Sequence, residues 1–532
     1  MKYTLLLLCW LLRIQSFAQQ KTPQEWHLLD KNASGYLGIS LDKAYELLKN
    51  RRPDTIIVAV LDSGIDTAQE DIKPTLWINK KEVPGNGIDD DKNGFIDDIH
   101  GWNFNGDANG NNMGSNSNEI ARVYHNYKQI FQGKTSQHII PEQRYLFSQW
   151  QRADSLLAKD YAEYKSAFQD ADRFLKSLQY TNFFLVKVLN KNEFNLSDLR
   201  NLSGNDTVML AKDFWERVFA SQNDPQSFTN ETFLNQLTSY TNRLQKFRAN
   251  REDAPENFRG KFIYDDPENL KVKVYGNNNL KQHSGNHGTS VAGIIGAVRN
   301  NNIGGNGIAN AVKIMAVRMM PGGDEYDKDV ALAIRYAVDN GAKVINMSFG
   351  KPVSPQKKMV DDAVKYAAEK GVLLVHGSGN DGENSDVAPF YPNAFFLDGK
   401  KASNFITVNA SGDSSLGNVV ADFTNYGKKT TDIFAPGVSV YAPNANNTYG
   451  SPSGTSVAAP VVAGVAALLK SYFPKLTPAQ LISILVRSGT ELHFKVKVPG
   501  LNQYTTLNEL SSSGRIVNAY NAVKLALLEE KK

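Results

Sequence analysis

The sequence predicts an α/β fold, a parallel sheet sandwiched by helices, with a large α-helical insertion. Three observations predict it. From residue 287 onward, short apolar runs alternate with helical stretches, the pattern of βαβ units that cover a sheet on both faces. The runs themselves, such as residues 56–61 and 372–375, are continuously apolar, as strands buried on both sides require. Between about 120 and 262, apolar residues instead recur at steps of three and four, which marks amphipathic helix.

The chain opens with Lys2, an apolar run at 5–12 and a small-x-small exit at Ser16-Phe17-Ala18. This predicts a signal peptide over residues 1–18, hence export to a periplasmic or extracellular location. The run is too short to span a membrane, and no membrane span is expected. Cys9, the single cysteine of 532 residues, leaves with it. The mature protein then has no thiol or disulfide to brace it outside the cell, so a bound metal is expected to do so. Residues 19–54 read as a lead-in, with Trp26, Leu28, Leu29, Tyr36 and Leu37 as apolar anchors and a helix near 41–48.

Residues 55–119 hold the first strand and an acidic loop. The insertion follows over 120–262. Its clearest helix runs through Ala153, Leu157, Tyr161, Tyr164, Phe168, Ala171, Leu175 and Leu178, and Asn205-Asp206 and Asn223-Asp224-Pro225 break later stretches. Two to four helices are expected. They form either a passive cap or a lid or substrate-positioning arm near the cleft. Residues 263–532 carry the remaining core: helices near 288–298, 328–339 and 357–369, and strands at 314–317, 344–347, 372–375, 405–408 and 432–434. Thr477-Pro478-Ala479-Gln480 is a helix start with a cap, a first-turn proline and a reciprocal glutamine.

With 41% hydrophobic and 21% charged residues, the composition is that of an ordinary globular protein. The net charge of +4 gives no basis for binding nucleic acid or an anionic membrane surface. The oligomeric state stays open.

Chemistry gathers in four short segments. Asp62 closes the first apolar run before Ser63-Gly64, at a strand end where sites form in open α/β sheets. His287 precedes Gly288 and a run of small residues. Ser456 follows Gly454-Thr455 at a helix start, where backbone N–H groups and the dipole favour a developing oxyanion. Asn380 follows the 372–375 strand in a glycine-rich turn. An acid, a base and a nucleophile are the parts that turn a weakly nucleophilic serine into an effective one.

Each segment resembles the corresponding signature of the subtilisin-like serine protease (subtilase) family, whose chain order is also Asp, His, Ser. The resemblance spans about 55–115 and 265–525 and leaves out the insertion. It implies a serine endopeptidase acting on protein or peptide substrates through an acyl-enzyme. Asp62, His287 and Ser456 would be the triad, and Asn380 with the Ser456 amide would form the oxyanion hole. It further implies that Ser348, Phe349 and Gly350 pair with an extended substrate, opposite a rail containing Gly323. The glycine usual at the rear of the specificity pocket falls near Phe390-Tyr391-Pro392, which predicts a shallow pocket and a preference for small residues. Asp324 and Glu325 either favour basic residues further upstream or cap the following helix. Asp62 and His287 lie 225 residues apart, against a few tens in most of the family, and the lead-in has no room for a larger folding pro-domain. An esterase with the same triad and a non-catalytic scaffold remain the alternatives.

Calcium is the expected structural cofactor. Asp89, Asp91 and Asn93 occupy alternate positions before Gly94, as in acidic calcium loops. Position 12 is His100 rather than glutamate, so Asp97 or Asp98 would close the shell. A solvated acidic loop is the alternative. The 299–304 loop also resembles a family calcium loop, which would use Asn301 and Asp71. A polar surface turn is the alternative there.

Overall fold

The structure is a computed structural model that describes residues 23–222, 228–281, 286–412 and 419–531. The expected leader, Cys9 and the break at 223–225 lie outside the described residues. The described chain divides into two compact units, residues 120–255 and residues 23–119 with 256–531.

The larger unit is built on β1 (Ile56–Asp62), β2 (Gly101–Asn103), β3 (Val312–Arg318), β4 (Ala342–Met347), β5 (Leu373–Gly377), β6 (Phe405–Ser411) and β7 (Ile433–Pro436). Shorter strands follow: β8 (Ala442–Asn444), β9 (Thr448–Gly450), β10 (Thr490–Glu491), β11 (Val496–Lys497), β12 (Tyr504–Thr505) and β13 (Arg515–Ile516). The main sheet has nine strands in the order β10-β13-β7-β6-β5-β4-β1-β3-β2. Every pairing in it is parallel except the β10–β13 edge.

Side chains alternate across a strand with period two, so each apolar run feeds two cores. Val58, Val60, Ile314, Val344 and Val375 enter one, with helices His287–Gly296 and Thr455–Tyr472. Ala59, Leu61, Met315, Ile345 and Leu374 enter the other, with helices Asp327–Asp339 and Lys357–Glu369. This double burial explains why the strands read as continuous apolar runs. The lead-in belongs to this unit: Trp26 is buried and its indole N–H donates to Val438 O at 3.1 Å. The expected cap at Thr477 forms, with reciprocal bonds to Gln480.

The winding positions the site. β1 lies between β3 and β4, so the chain order reverses at its flank, and ligands in such sheets bind beyond the carboxyl ends at that reversal. Asp62 is the last residue of β1. Helix Thr455–Tyr472 is apolar and long enough to cross a membrane, but 89% of it is buried inside the protein. It is the central core helix.

The smaller unit is helical: Ile120 to Phe131 of helix Glu119–Phe131, then Arg144–Leu189, Leu196–Leu199, Asp206–Ala220 and Asn230–Glu252. The 46-residue helix Arg144–Leu189 is about 70 Å long at 1.5 Å per residue. Its C-terminal half packs Phe174, Leu178 and Leu185 with Trp215, Phe219 and Phe233. Tyr161, Tyr164 and Phe168, expected in the apolar stripe, are only half-buried. Asn205, read as a break, is an N-cap whose side chain accepts from Val208 N.

Candidate active site

Asp62 is fully buried. Its Oδ1 accepts from Ser63 N (2.7 Å), from Ser63 Oγ (3.0 Å) and from His287 Nδ1 (2.8 Å). A carboxylate oxygen only accepts, so Nδ1 carries the hydrogen and the lone pair is left on Nε2. The Asp62 charge raises the His287 pKa above its ordinary 6.5, against the opposing effect of burial. Helix His287–Gly296 is held against β1 by close contact. A Cβ on Gly288 would lie 2.2 Å from Gly64 O and 3.1 Å from Asp62 Cβ. Thr289 Oγ1 accepts from Asp66 N at 3.0 Å, which secures the same junction.

Ser456 sits in the first turn of the central helix. Asn380 Oδ1 accepts from Thr455 N (2.9 Å) and Thr455 Oγ1 (3.1 Å). A backbone N–H can only donate, so this pairing fixes the amide orientation and leaves Nδ2 to donate elsewhere. Gly454 has φ 153°, in the region glycine adopts most readily. A methyl on it would lie 2.9 Å from Ser456 Oγ and 3.7 Å from both Asn380 Nδ2 and Ser456 N. One hydroxyl and two N–H donors therefore surround a spot that only glycine leaves vacant.

His287 and Ser456 line two cavities. The first, about 420 Å³, is formed with Asn286, Ser290, Asn444 and Pro452. The second, about 340 Å³, is formed with Gly323, Ser348, Phe349, Gly350, Asn380 and Phe390. All four expected substrate residues thus line one cavity beside Ser456. Some of their polar groups are engaged within the protein. Ser348 Oγ donates to Ser456 O (2.8 Å) and accepts from Asn346 Nδ2 (2.9 Å). Phe349 O, which can only accept, takes the Nε2–H of His376 at 2.7 Å, and burial lowers the His376 pKa to about 4. Phe390 covers the backbone: its ring atoms would be 2.3 Å from a Cβ on Gly350 and 3.2 Å from one on Gly379. Gly323, at φ 149°, backs onto Asn116 O. His376 and Asn116 were not singled out in the sequence. Neither has a local signal beyond its own residue type.

The acidic loop brings Asp89 and Asp91 together with Glu82, each offering an oxygen within 4.8 Å of the others. Glu82 escaped the sequence pattern because it precedes the loop. Its carboxylate accepts from Asp91 N and Asp97 N, both at 3.0 Å. Asp97, expected as a ligand, is not in this group, and Asn93 lies beside it with its N–H bonded to Asp89 and Asp91. Asp97 accepts from Gly85 N (2.7 Å) and Gly87 N (2.9 Å). Asn93 donates to Asp98 and accepts from Phe95 N. The gathered group is three carboxylates, hard oxygen donors of the kind calcium takes, which also accept protein N–H groups, Asp89 from Asn93 N and Gly94 N and Asp91 from Asn93 N and Asn79 Nδ2. Asp71 and Asn301 do meet: Asn301 Nδ2 donates to Asp71 Oδ1 at 2.6 Å. Asp71 Oδ2 is buried without a partner in hydrogen-bond geometry, and burial raises the Asp71 pKa, reinforced by Glu70 and Glu25 and opposed by Asn301 and the Tyr449 hydroxyl. A cation there would relieve both.

The family model of the subtilase family matches residues 54–509. The chain is 41% identical to thermitase of Thermoactinomyces vulgaris over 249 residues, 47% of this chain and 78% of that protein. It is 36% identical to the thermophilic serine proteinase of Bacillus sp. (strain AK1) over 45% of this chain, and the match spans only about half (52%) of that relative's length. Among solved structures, the proteases from Pseudoalteromonas arctica align over 94% of this chain and 97% of theirs, with a TM-score of 0.44 and 19% identity. With the family model covering most of the chain around Asp62, His287, Asn380 and Ser456, the protein belongs to the subtilase family of serine proteases.

Proposed function

We propose that this serine protease is an exported endopeptidase that cleaves proteins or peptides through an acyl-enzyme on Ser456. His287 Nε2 takes the hydroxyl proton as Ser456 Oγ attacks the scissile carbonyl, then gives it to the leaving amine. Asp62 holds the ring and stabilises its cation. Asn380 Nδ2 and the Ser456 amide receive the oxyanion. The observation that carries this reading is the convergence of Ser456 Oγ, Asn380 Nδ2 and Ser456 N around Gly454. Hydrolysis of casein by the purified protein, abolished in Ser456→Ala, tests it. Casein cleavage that persists in Ser456→Ala overturns it.

The Phe390 ring over Gly350 and Gly379 supports a preference for small residues before the scissile bond. Cleavage of a mixed peptide library dominated by bulky aromatic residues at that position would refute it. Calcium is the proposed structural cofactor, held by Glu82, Asp89 and Asp91 and by Asp71 with Asn301. It would neutralise clustered carboxylates and tie loops together in a protein without disulfides. Chelation is expected to lower the melting temperature, and readdition of calcium to restore it. The sequence signals of residues 1–18 support export to the periplasm or the extracellular space.

A further inference from the structure

We infer that Lys351 is a positioning residue that sets the separation of the two walls of the substrate cavity. The inference rests on the protease reading above. Lys351 directly follows Ser348–Gly350, one wall of the cavity, and Glu325 belongs to the segment from Gly323 that lines the other. The Lys351 ammonium is 1% exposed. A lysine is almost never so buried unless it is paired.

Here it is paired across the cavity. Nζ donates to Glu325 O at 2.7 Å and meets Asp327 Oδ1 at 3.0 Å and Glu119 Oε2 at 3.5 Å. Each partner is anchored in turn. Asp327 accepts from Ser354 Oγ (3.0 Å) and Gln356 N (2.8 Å). Glu119 N donates to Asp324 Oδ2 at 2.7 Å, and Asn116 Nδ2 donates to Asp324 O at 2.8 Å. The Lys351 backbone is paired both ways with Tyr391 (2.9 and 2.8 Å), which places the adjacent Phe390 over Gly350. Both walls therefore meet at one buried ammonium that touches no reacting atom, and the aromatic floor is tied to the backbone of the same residue.

The chemistry follows from geometry. A substrate reaching only one residue upstream of the scissile bond needs little of this gap. One reaching four residues upstream must lie between the two walls, and its remote contacts supply binding energy to the reaction. Lys351 therefore governs how much a longer substrate gains over a shorter one.

The test is steady-state kinetics of the full protein on two amides with the same small residue before the scissile bond, one with that residue alone and one extended to four residues. In Lys351→Met, kcat/KM on the extended amide is expected to fall about tenfold, chiefly through KM, with the short amide changed by less than about twofold. Lys351→Arg, which keeps the cation, should restore part of the difference. Should Lys351→Met not fold, Glu119→Gln reads the same network and should lower the same ratio by a smaller factor. Equal losses on both substrates, or no loss on either, would overturn the inference. A wild type inert toward both amides and toward a serine-directed inhibitor would instead overturn the protease reading beneath it.

Discussion

Ser348 donates its hydroxyl to the carbonyl of Ser456 at 2.8 Å. In an α-helix that carbonyl would accept from the N–H four residues on, but residue 460 is a proline inside the helix and has none. A residue of the substrate wall thus completes the hydrogen bonding of the nucleophile's own helix. The wall is fastened to Ser456 by the same contact.

Ser348→Ala strands both the part-buried Ser456 carbonyl and the buried Asn346 Nδ2, and should therefore cost about 1–3 kcal/mol, the usual penalty for leaving a buried polar group unpaired. In a Pro460→Ala background the restored N–H can take over the carbonyl, and the same substitution should cost less, the remainder being the Asn346 Nδ2 donor left without its acceptor. Denaturant unfolding of the four proteins in a double-mutant cycle measures this. Equal costs in both backgrounds would show that the proline is irrelevant to the contact.

Gly454→Ala places a methyl where the oxyanion should sit. It should lower kcat at least as far as Asn380→Ala, for which about 10²–10³-fold is expected, the loss known for this donor in subtilisin. Asn380→Ala should fold as wild type, whereas Gly454→Ala also strains a backbone at φ 153° and is compared only as folded enzyme; KM should move little in both. Kinetics normalised by active-site titration decide it. A Gly454→Ala enzyme of near wild-type kcat would place the oxyanion elsewhere.

The alternation of strands and helices was legible in the sequence because each run records double burial locally. The segments around Asp62, His287, Asn380 and Ser456 were legible through their joint resemblance to subtilase signatures, which are short and local. Glu82 and Lys351 were not. Their partners lie on other segments, and a single acid before a loop or a lysine after a glycine carries no periodicity. Asp97 shows the converse. Spacing offers it as a ligand, yet its carboxylate lies outside the group that Glu82 forms with Asp89 and Asp91 and instead receives the Gly85 and Gly87 amides. The short strand β2 also went unseen, since three residues are too few to show a pattern.

His287 works as a base only when neutral. Asp62 raises its pKa above 6.5, so kcat/KM should be lost as pH falls through a value displaced above the ordinary imidazole. Asp62→Asn should move this acid limb downward and lower kcat by about 10⁴-fold. A pH–rate profile of the two enzymes reads both effects. An unmoved limb would show that another group controls it.

Glu325 is buried, and burial raises its pKa from 4.5 to about 8. Between those values the folded protein holds a proton that the unfolded chain has released, so stability falls as pH rises across that window. Glu325→Gln cannot ionise and should lack this decline. Its stability should match wild type near pH 4 and exceed it above pH 8. Melting temperatures across pH 4–9 test the difference, and parallel curves would contradict it.

The central claim is that Ser456 is an activated nucleophile. Labelling with a serine-directed phosphonylating inhibitor, followed by peptide mass spectrometry, tests it most directly. One adduct on Ser456, absent from His287→Ala and accompanied by loss of casein cleavage, is the predicted result. An adduct on a different residue, or cleavage that survives full labelling of Ser456, would contradict it.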